Sequence, residues 1–171
     1  SIIAYTNARL LDPFSGLDAV GTVLTEGETI VEAKPGLFES GVPKNVINID
    51  CQGACLSPGL VDIRMQTGEP GEEHKETLAT AGRAAVAGGV TTMVCLPNTE
   101  PVIDDMSTVE FVARRARKHS LAKVYCYGAI TRSLVGDQIT EMGLLAEAGA
   151  VAFTDGLKGL ANAQVMARAL S

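Results

Sequence analysis

Tryptophan is absent from this 171-residue chain, and aromatic residues make up only 4 % of it. Lysine and arginine, 14 in all, fall short of the 20 aspartates and glutamates, giving a net charge of −6. That balance argues against nucleic acid or an anionic membrane as a partner. No apolar run approaches the roughly 20 residues of a membrane span. The N-terminus lacks a basic start followed by an apolar stretch, so no signal peptide is expected. Neither G-x-G-x-x-G nor G-x-x-x-x-G-K-[ST] occurs, which leaves no phosphate-cradling loop. The four cysteines, at 51, 55, 95 and 126, form no Cys-x-x-Cys pair. Only His74 and His119 could add nitrogen ligands, so a structural zinc site is disfavoured. Cys95 and Cys126 lie in apolar, strand-like runs and are expected to be buried thiols. Free cysteines fit a cytoplasmic location.

Two textures are present. Residues 1–56 contain short β-like runs at 2–5, 20–24, 29–33 and 46–50. Turn chemistry separates them at Asp12-Pro13, Ser15-Gly16, Glu26-Gly27 and Lys34-Pro35-Gly36. A small antiparallel, sandwich-like sheet is expected there. Residues 57–171 alternate strand and helix. Strands are expected at 60–65, 90–96, 123–130 and 150–154, spaced at roughly the 30 residues of a βα unit. Helices are expected at 75–87, ending on Gly88-Gly89, and at 107–118, where Ser107 and Glu110 stand at capping-box spacing. Two more are expected at 137–148, with Ile139, Met142, Leu145 and Ala148 on one stripe, and at 162–170. The basic group Arg114, Arg115, Arg117 and Lys118 reads as a solvated face near a helix C-terminus, with His119 a surface histidine.

Four βα units make the N-terminal half of a (β/α)8 TIM-type barrel, which needs eight and about 250 residues. Half a barrel leaves strand edges and an apolar interior open, so the chain reads as truncated or as completed by another chain, and an oligomer is expected. An open doubly wound sheet is the structural alternative.

One segment is the most informative: Pro58-Gly59-Leu60-Val61-Asp62-Ile63-Arg64-Met65-Gln66-Thr67-Gly68-Glu69-Pro70-Gly71. It resembles the metal-binding signature of the dihydroorotases, in the amidohydrolase superfamily, where the run is close to Pro-Gly-(apolar)-(apolar)-Asp-(apolar)-His-x-His-Leu-Arg-Glu-Pro-Gly. Further pieces of the resemblance follow in order. They are Glu69-Pro70-Gly71-Glu72-Glu73-His74-Lys75-Glu76, Ala84-Ala85-Val86-Ala87-Gly88-Gly89-Val90-Thr91-Thr92, Cys95-Leu96-Pro97-Asn98-Thr99-Glu100-Pro101-Val102-Ile103-Asp104 and Val151-Ala152-Phe153-Thr154-Asp155-Gly156. The opening Asn7-Ala8-Arg9-Leu10-Leu11-Asp12-Pro13 also looks like the start of an amidohydrolase β-domain.

The resemblance implies a zinc-dependent ring-opening site at the ends of the barrel strands. This chain departs from it at the reactive positions. Arg64 and Gln66 stand in the two histidine places. Residues i and i+2 of a strand share a side, so a His-x-His would aim two imidazoles at one metal. A guanidinium has no acceptor and stays protonated, and an amide oxygen is a poor zinc ligand. Gly68 replaces an arginine that would hold a substrate carboxylate. Asn98 matches an asparagine of the same carboxylate site. Asp155 matches an acid that reaches the metals, but the second acid of Asp-Asp-Gly is missing, since Gly156 and Leu157 follow. The remaining ligands and the catalytic aspartate of the family fall after Ser171. His74 reads as a loop residue.

The expectation is therefore a catalytically silent dihydroorotase-like protein, with no catalytic residue and no bound zinc. Its resemblance to inactive homologues implies aspartate carbamoyltransferase as assembly partner in pyrimidine biosynthesis. Two alternatives stand: an active dihydroorotase or other cyclic amidohydrolase with an altered metal site, and a small independent binding module. An Arg64–Asp155 pair is expected to fill the place of the lost cations.

Overall fold

A computed structural model describes residues 1–171, which divide into two compact units, Ser1–Pro58 and Gly59–Ser171. Each is described by itself.

In the first unit, strands β1 (Ile2–Asp12), β2 (Leu17–Glu26) and β3 (Thr29–Lys34) form an antiparallel meander. The β1–β2 turn is set by Asp12, whose carboxylate accepts from Phe14 N at 3.0 Å and Ser15 Oγ at 2.6 Å. These bonds hold the Asp12 carboxyl below its usual range, the Ser15 bond contributing most. Beside the turn, Arg9 grips Asp18 with two bonds of 2.7 and 2.6 Å. The expectation of an all-antiparallel sheet fails at β4 (Ile47–Asp50) and β5 (Cys55–Leu56), which both run parallel to β1 along its other edge. The long stretch 35–46 carries the chain back before β4 begins, which a tight hairpin cannot do. A bulge between Tyr5 and Ala8, with Asn7 at φ +53°, shifts the register of β1.

The second unit holds a four-stranded parallel sheet in sequence order: β6 (Leu60–Met65), β7 (Val90–Cys95), β8 (Lys123–Gly128) and β9 (Ala152–Phe153). Helices α1 (Leu78–Ala87), α2 (Met106–His119) and α3 (Met142–Ala148) connect them, and α4 (Ala163–Ala169) follows β9. Leu78, Val109, Val112, Ala116 and Leu145 from the first three helices meet Cys95 and Cys126 of the sheet in one core. Fully burying a leucine or valine contributes about 1.5–3 kcal/mol, so these contacts fix the helices to that face. Strands in unbroken order with helices on a single face are the winding of a barrel; a doubly wound sheet reverses its strand order and carries helices on both faces. The fold is half a β/α barrel preceded by a small β-rich segment. Val61 (58 % exposed), Ile63 (64 %) and Tyr125 (45 %) remain open to solvent on β6 and β8.

Local chemistry sets the helix ends. Thr77 and Thr80 cap α1 reciprocally, so it starts at Leu78 instead of Lys75. Asp105, not Ser107, caps α2, accepting from Thr108 N at 2.9 Å and from Ser107 Oγ at 2.6 Å. The helix expected at 137–148 begins only at Met142. Residues before it return as an extended segment, with Ile139 bridged to Thr131 and Thr140 N bonded to Ile130 O. No helix of the chain is long and apolar enough to cross a membrane.

Candidate functional site

The chemistry-bearing positions lie at the C-terminal ends of the parallel strands, the side on which β/α barrels build their sites. At β6 the register slips between Asp62 and Met65, so the strand holds a bulge at this point. Met65 packs against the helix-side core. Arg64 before it and Gln66 just past the strand's end are both exposed. The Asp62 carboxylate accepts Arg64 N at 2.9 Å and steadies the bulge. Tyr127 reaches across from β8, its hydroxyl donating to Ile63 O at 2.8 Å.

The loop after β6 is tightly wound. Glu72 N donates to Gly68 O at 2.5 Å, and Glu72 pairs with Lys75. A Cβ built on Gly68 would stand 2.5 Å from Glu72 O and 2.6 Å from Glu76 O. Both obstacles are backbone, so no side chain fits at position 68 unless the loop moves. Next to it, Glu69 is almost fully buried at 2 % exposure. Its carboxylate accepts from Leu78 N at 2.9 Å, at the start of α1, and from Arg115 Nε of α2 at 2.5 Å. Arg115 Nη1 in turn lies 3.0 Å from His119 Nε2. Arginine only donates, so the His119 ring nitrogen is the acceptor in this contact. Arg115 is thus a clamp between loop and helix, not part of a solvated basic face. Sequence pattern gave Glu69 no role of its own and read Arg115 only as part of that face.

Asp155 is buried at 5 % exposure. It accepts from Ile130 N and Thr131 N, each at 2.9 Å, and from Thr131 Oγ1 at 2.5 Å. Thr131 Oγ1 also accepts Gly136 N at 3.0 Å, so Asp155 organises the loop after β8. The expected Arg64–Asp155 pair is not formed: the ion pairs are Arg9–Asp18, Lys34–Glu32, Lys75–Glu72 and Arg115–Glu69. Three donors already satisfy Asp155, which removes the electrostatic reason for a guanidinium to reach it.

Gly68 and Asn98 come together in a cleft of about 390 Å³, whose walls include Gly71, His74, Thr99 and Glu100. Asn98 is half-buried. The loop after β9 approaches it, since a Cβ on Gly156 would lie 3.6 Å from Asn98 Oδ1. Arg64, Gln66 and Asp155 do not line this cleft. Cys95 and Cys126 are register partners on β7 and β8. Burial pushes their thiols up to about 12 and about 11, which keeps both protonated and unreactive.

Zinc is the metal the barrel type implies, and these residues do not fit it. The strand ends offer a guanidinium, two amides, the Asp62 carboxylate that accepts Arg64 N, and the Asp155 carboxylate already taken up by three donors. No three His, Cys, Asp or Glu side chains converge into a metal-holding group.

A half-barrel of this winding with a β-rich segment before it defines the amidohydrolase type of fold. Among solved structures it superposes on the L-hydantoinase (dihydropyrimidinase) of Arthrobacter aurescens with a TM-score of 0.73 and 21 % identity, over 88 % of this chain and 32 % of that one. The D-hydantoinase (dihydropyrimidinase) of a Thermus species gives 0.61 and 21 %, over 85 % and 30 %. At that identity the likeness concerns the fold. Within the class, the chain belongs to the dihydroorotase-like family, whose model matches residues 53–171. It is 44 % identical to the dihydroorotase of Ehrlichia chaffeensis over 99 % of its length, and 48 % identical to that of a Wolbachia of Drosophila simulans over 98 %. It spans 38 % and 37 % of those two proteins.

Proposed function

We propose that this chain is part of a catalytically silent dihydroorotase-like protein, kept for its shape and surface. It serves as an assembly subunit for aspartate carbamoyltransferase in pyrimidine biosynthesis. The observation that carries the reading is the donor set at the strand ends. Arg64 and Gln66 occupy the place of a histidine pair, and the Asp155 carboxylate is fully engaged by Ile130 and Thr131. A bound metal would have to lower the pKa of a water and polarise an amide carbonyl. A site with a fixed positive charge, no imidazole pair and its buried carboxylate already engaged offers it no hold. The closed loop at Gly68 supports the same reading, because the carboxylate-holding arginine of the family has no room to return.

Two measurements test it. Elemental analysis should find no stoichiometric zinc, and dihydroorotate should not be hydrolysed; about one zinc per chain together with hydrolysis would overturn the silent reading. Co-purification from cells expressing both proteins should recover the carbamoyltransferase, and its absence would overturn the assembly role. Restoring histidine at 64 and 66 together should not produce activity. A second reading, a working dihydroorotase with a rebuilt metal site, is favoured by the 39–48 % identity to proteins of that name, and the zinc assay separates the two.

A further inference from the structure

The cleft between the loops after β6 and β7 has a chemistry of its own, and we propose that it binds a cationic, hydrogen-bond-donating head: a guanidinium or an alkylammonium group. Its volume, about 390 Å³, suits a small molecule or one long side chain. Three different polar side chains line it without a hydrogen-bond partner in the chain: the Asn98 amide, the His74 imidazole and the Glu100 carboxylate. The hydroxyls beside them are already used. Thr99 Oγ1 donates to Pro101 O at 2.8 Å, and Thr67 Oγ1 accepts Glu69 N at 3.2 Å. Glu72 also lines the cleft and is paired with Lys75. No lysine or arginine is among the lining residues, and Gly68 contributes only backbone. Arg115, which is bonded to this loop at Glu69, is held there and lies against His119.

What the cleft presents is therefore an amide and an imidazole that can each accept as well as donate, with Glu100 left as an unpaired negative charge and no cation beside it. A guanidinium is the complement of that set: positive, flat, with five donors and no acceptor. A carboxylate ligand would meet Glu100 and Glu72 with no counter-charge from the lining. The selectivity of the place is thus inverted relative to a carboxylate site. The head can come from a free amine or guanidine, or from a lysine or arginine of a docked protein; the chemistry is shared.

The proposal takes from the silent-enzyme reading only that Gly68 supplies no cation. Zinc content and hydrolysis test that reading, and the following titration tests the cleft, so either can fail alone. Amide NMR spectra of the whole chain are followed while agmatine and N-acetylarginine amide are added. N-acetylnorleucine amide serves as the neutral control, and N-carbamoylaspartate as the dianion. At least one cation should shift Gly68, Gly71 and the Asn98 side-chain amide saturably, with millimolar affinity. Agmatine alone acting would identify a free small molecule as the source, and the arginine amide alone acting a protein side chain. Glu100→Gln, on an exposed residue, should weaken the binding about threefold to fivefold, the scale of an exposed ion pair. No saturable shift with either cation, equal shifts with the neutral control, tighter binding of the dianion, or unchanged affinity in Glu100→Gln would each overturn the proposal.

Discussion

Arg115 donates through Nε to the Glu69 carboxylate at 2.5 Å, joining the middle of α2 to the loop that leaves β6. The glutamate is 2 % exposed and the arginine side chain 39 %, so the bond sits at the edge of the core. Two elements that share no sequence motif are held at one point by it, because the same carboxylate also caps α1 through Leu78 N.

Removing Arg115 leaves that carboxylate buried with one donor fewer. Arg115→Ala should cost about 2 kcal/mol, less than the full penalty for a deeply buried pair because water reaches the guanidinium side. Urea unfolding followed by circular dichroism measures it. Arg115→Lys should recover only part, since lysine lacks the planar fork.

Gly68→Arg should lower stability by about 1–3 kcal/mol, the scale of overpacking, because the loop must open to admit a Cβ. Dihydroorotate binding should not appear in calorimetry. A stable variant with normal thermal unfolding would show that the loop yields easily.

Asp155→Asn retains an acceptor for the backbone of Ile130 and Thr131 but loses the charge that takes up the Thr131 hydroxyl. A loss of about 1–3 kcal/mol is expected, within the range for hydrogen bonds to charged groups. Hydrogen exchange at Ile130, Thr131 and Gly136 should accelerate first, and unchanged protection there would contradict a loop-organising role.

Thiol labelling of the native protein near pH 8 should stop at Cys51 and Cys55, which are half-buried and exposed. Cys95 and Cys126, pushed up to about 12 and about 11, should react only after unfolding.

Asp105 gives a pH dependence whose sign follows from its bonds to Ser107 and Thr108, which lower its pKa. A depressed folded-state value stabilises the protein above the ordinary aspartate range, and that stabilisation is lost as pH falls through the folded value. Asp105→Ala should cost about 1 kcal/mol at neutral pH, as helix N-caps do. The difference from the parent chain should shrink in urea unfolding below about pH 4, where the unfolded aspartate protonates.

The alternation of apolar runs with helix signals was enough to read the half-barrel. Strand β6 falls on residues 60–65 as expected, since its apolar run is bounded by Pro58-Gly59 on one side and by turn chemistry on the other. Local pattern misled where long-range contacts decided. The stripe through Ile139 and Met142 looked helical, yet Ile139 pairs with Thr131 because the loop organised by Asp155 draws it into an extended return. The parallel course of β4 and β5 depends on how the stretch after β3 crosses, which periodicity does not encode. At the site, residue types announced the departures at Arg64, Gln66 and Gly68. They did not announce the burial of Glu69, which depends on a side chain of a distant helix, or the closure of the Gly68 loop, which arises from backbone carbonyls four and eight residues on.

That closure makes position 68 asymmetric. A glycine codon lies one base change from arginine, so the exchange is genetically cheap. Sterically it meets two carbonyls at once, and the loop must open before a new charge there is of any use.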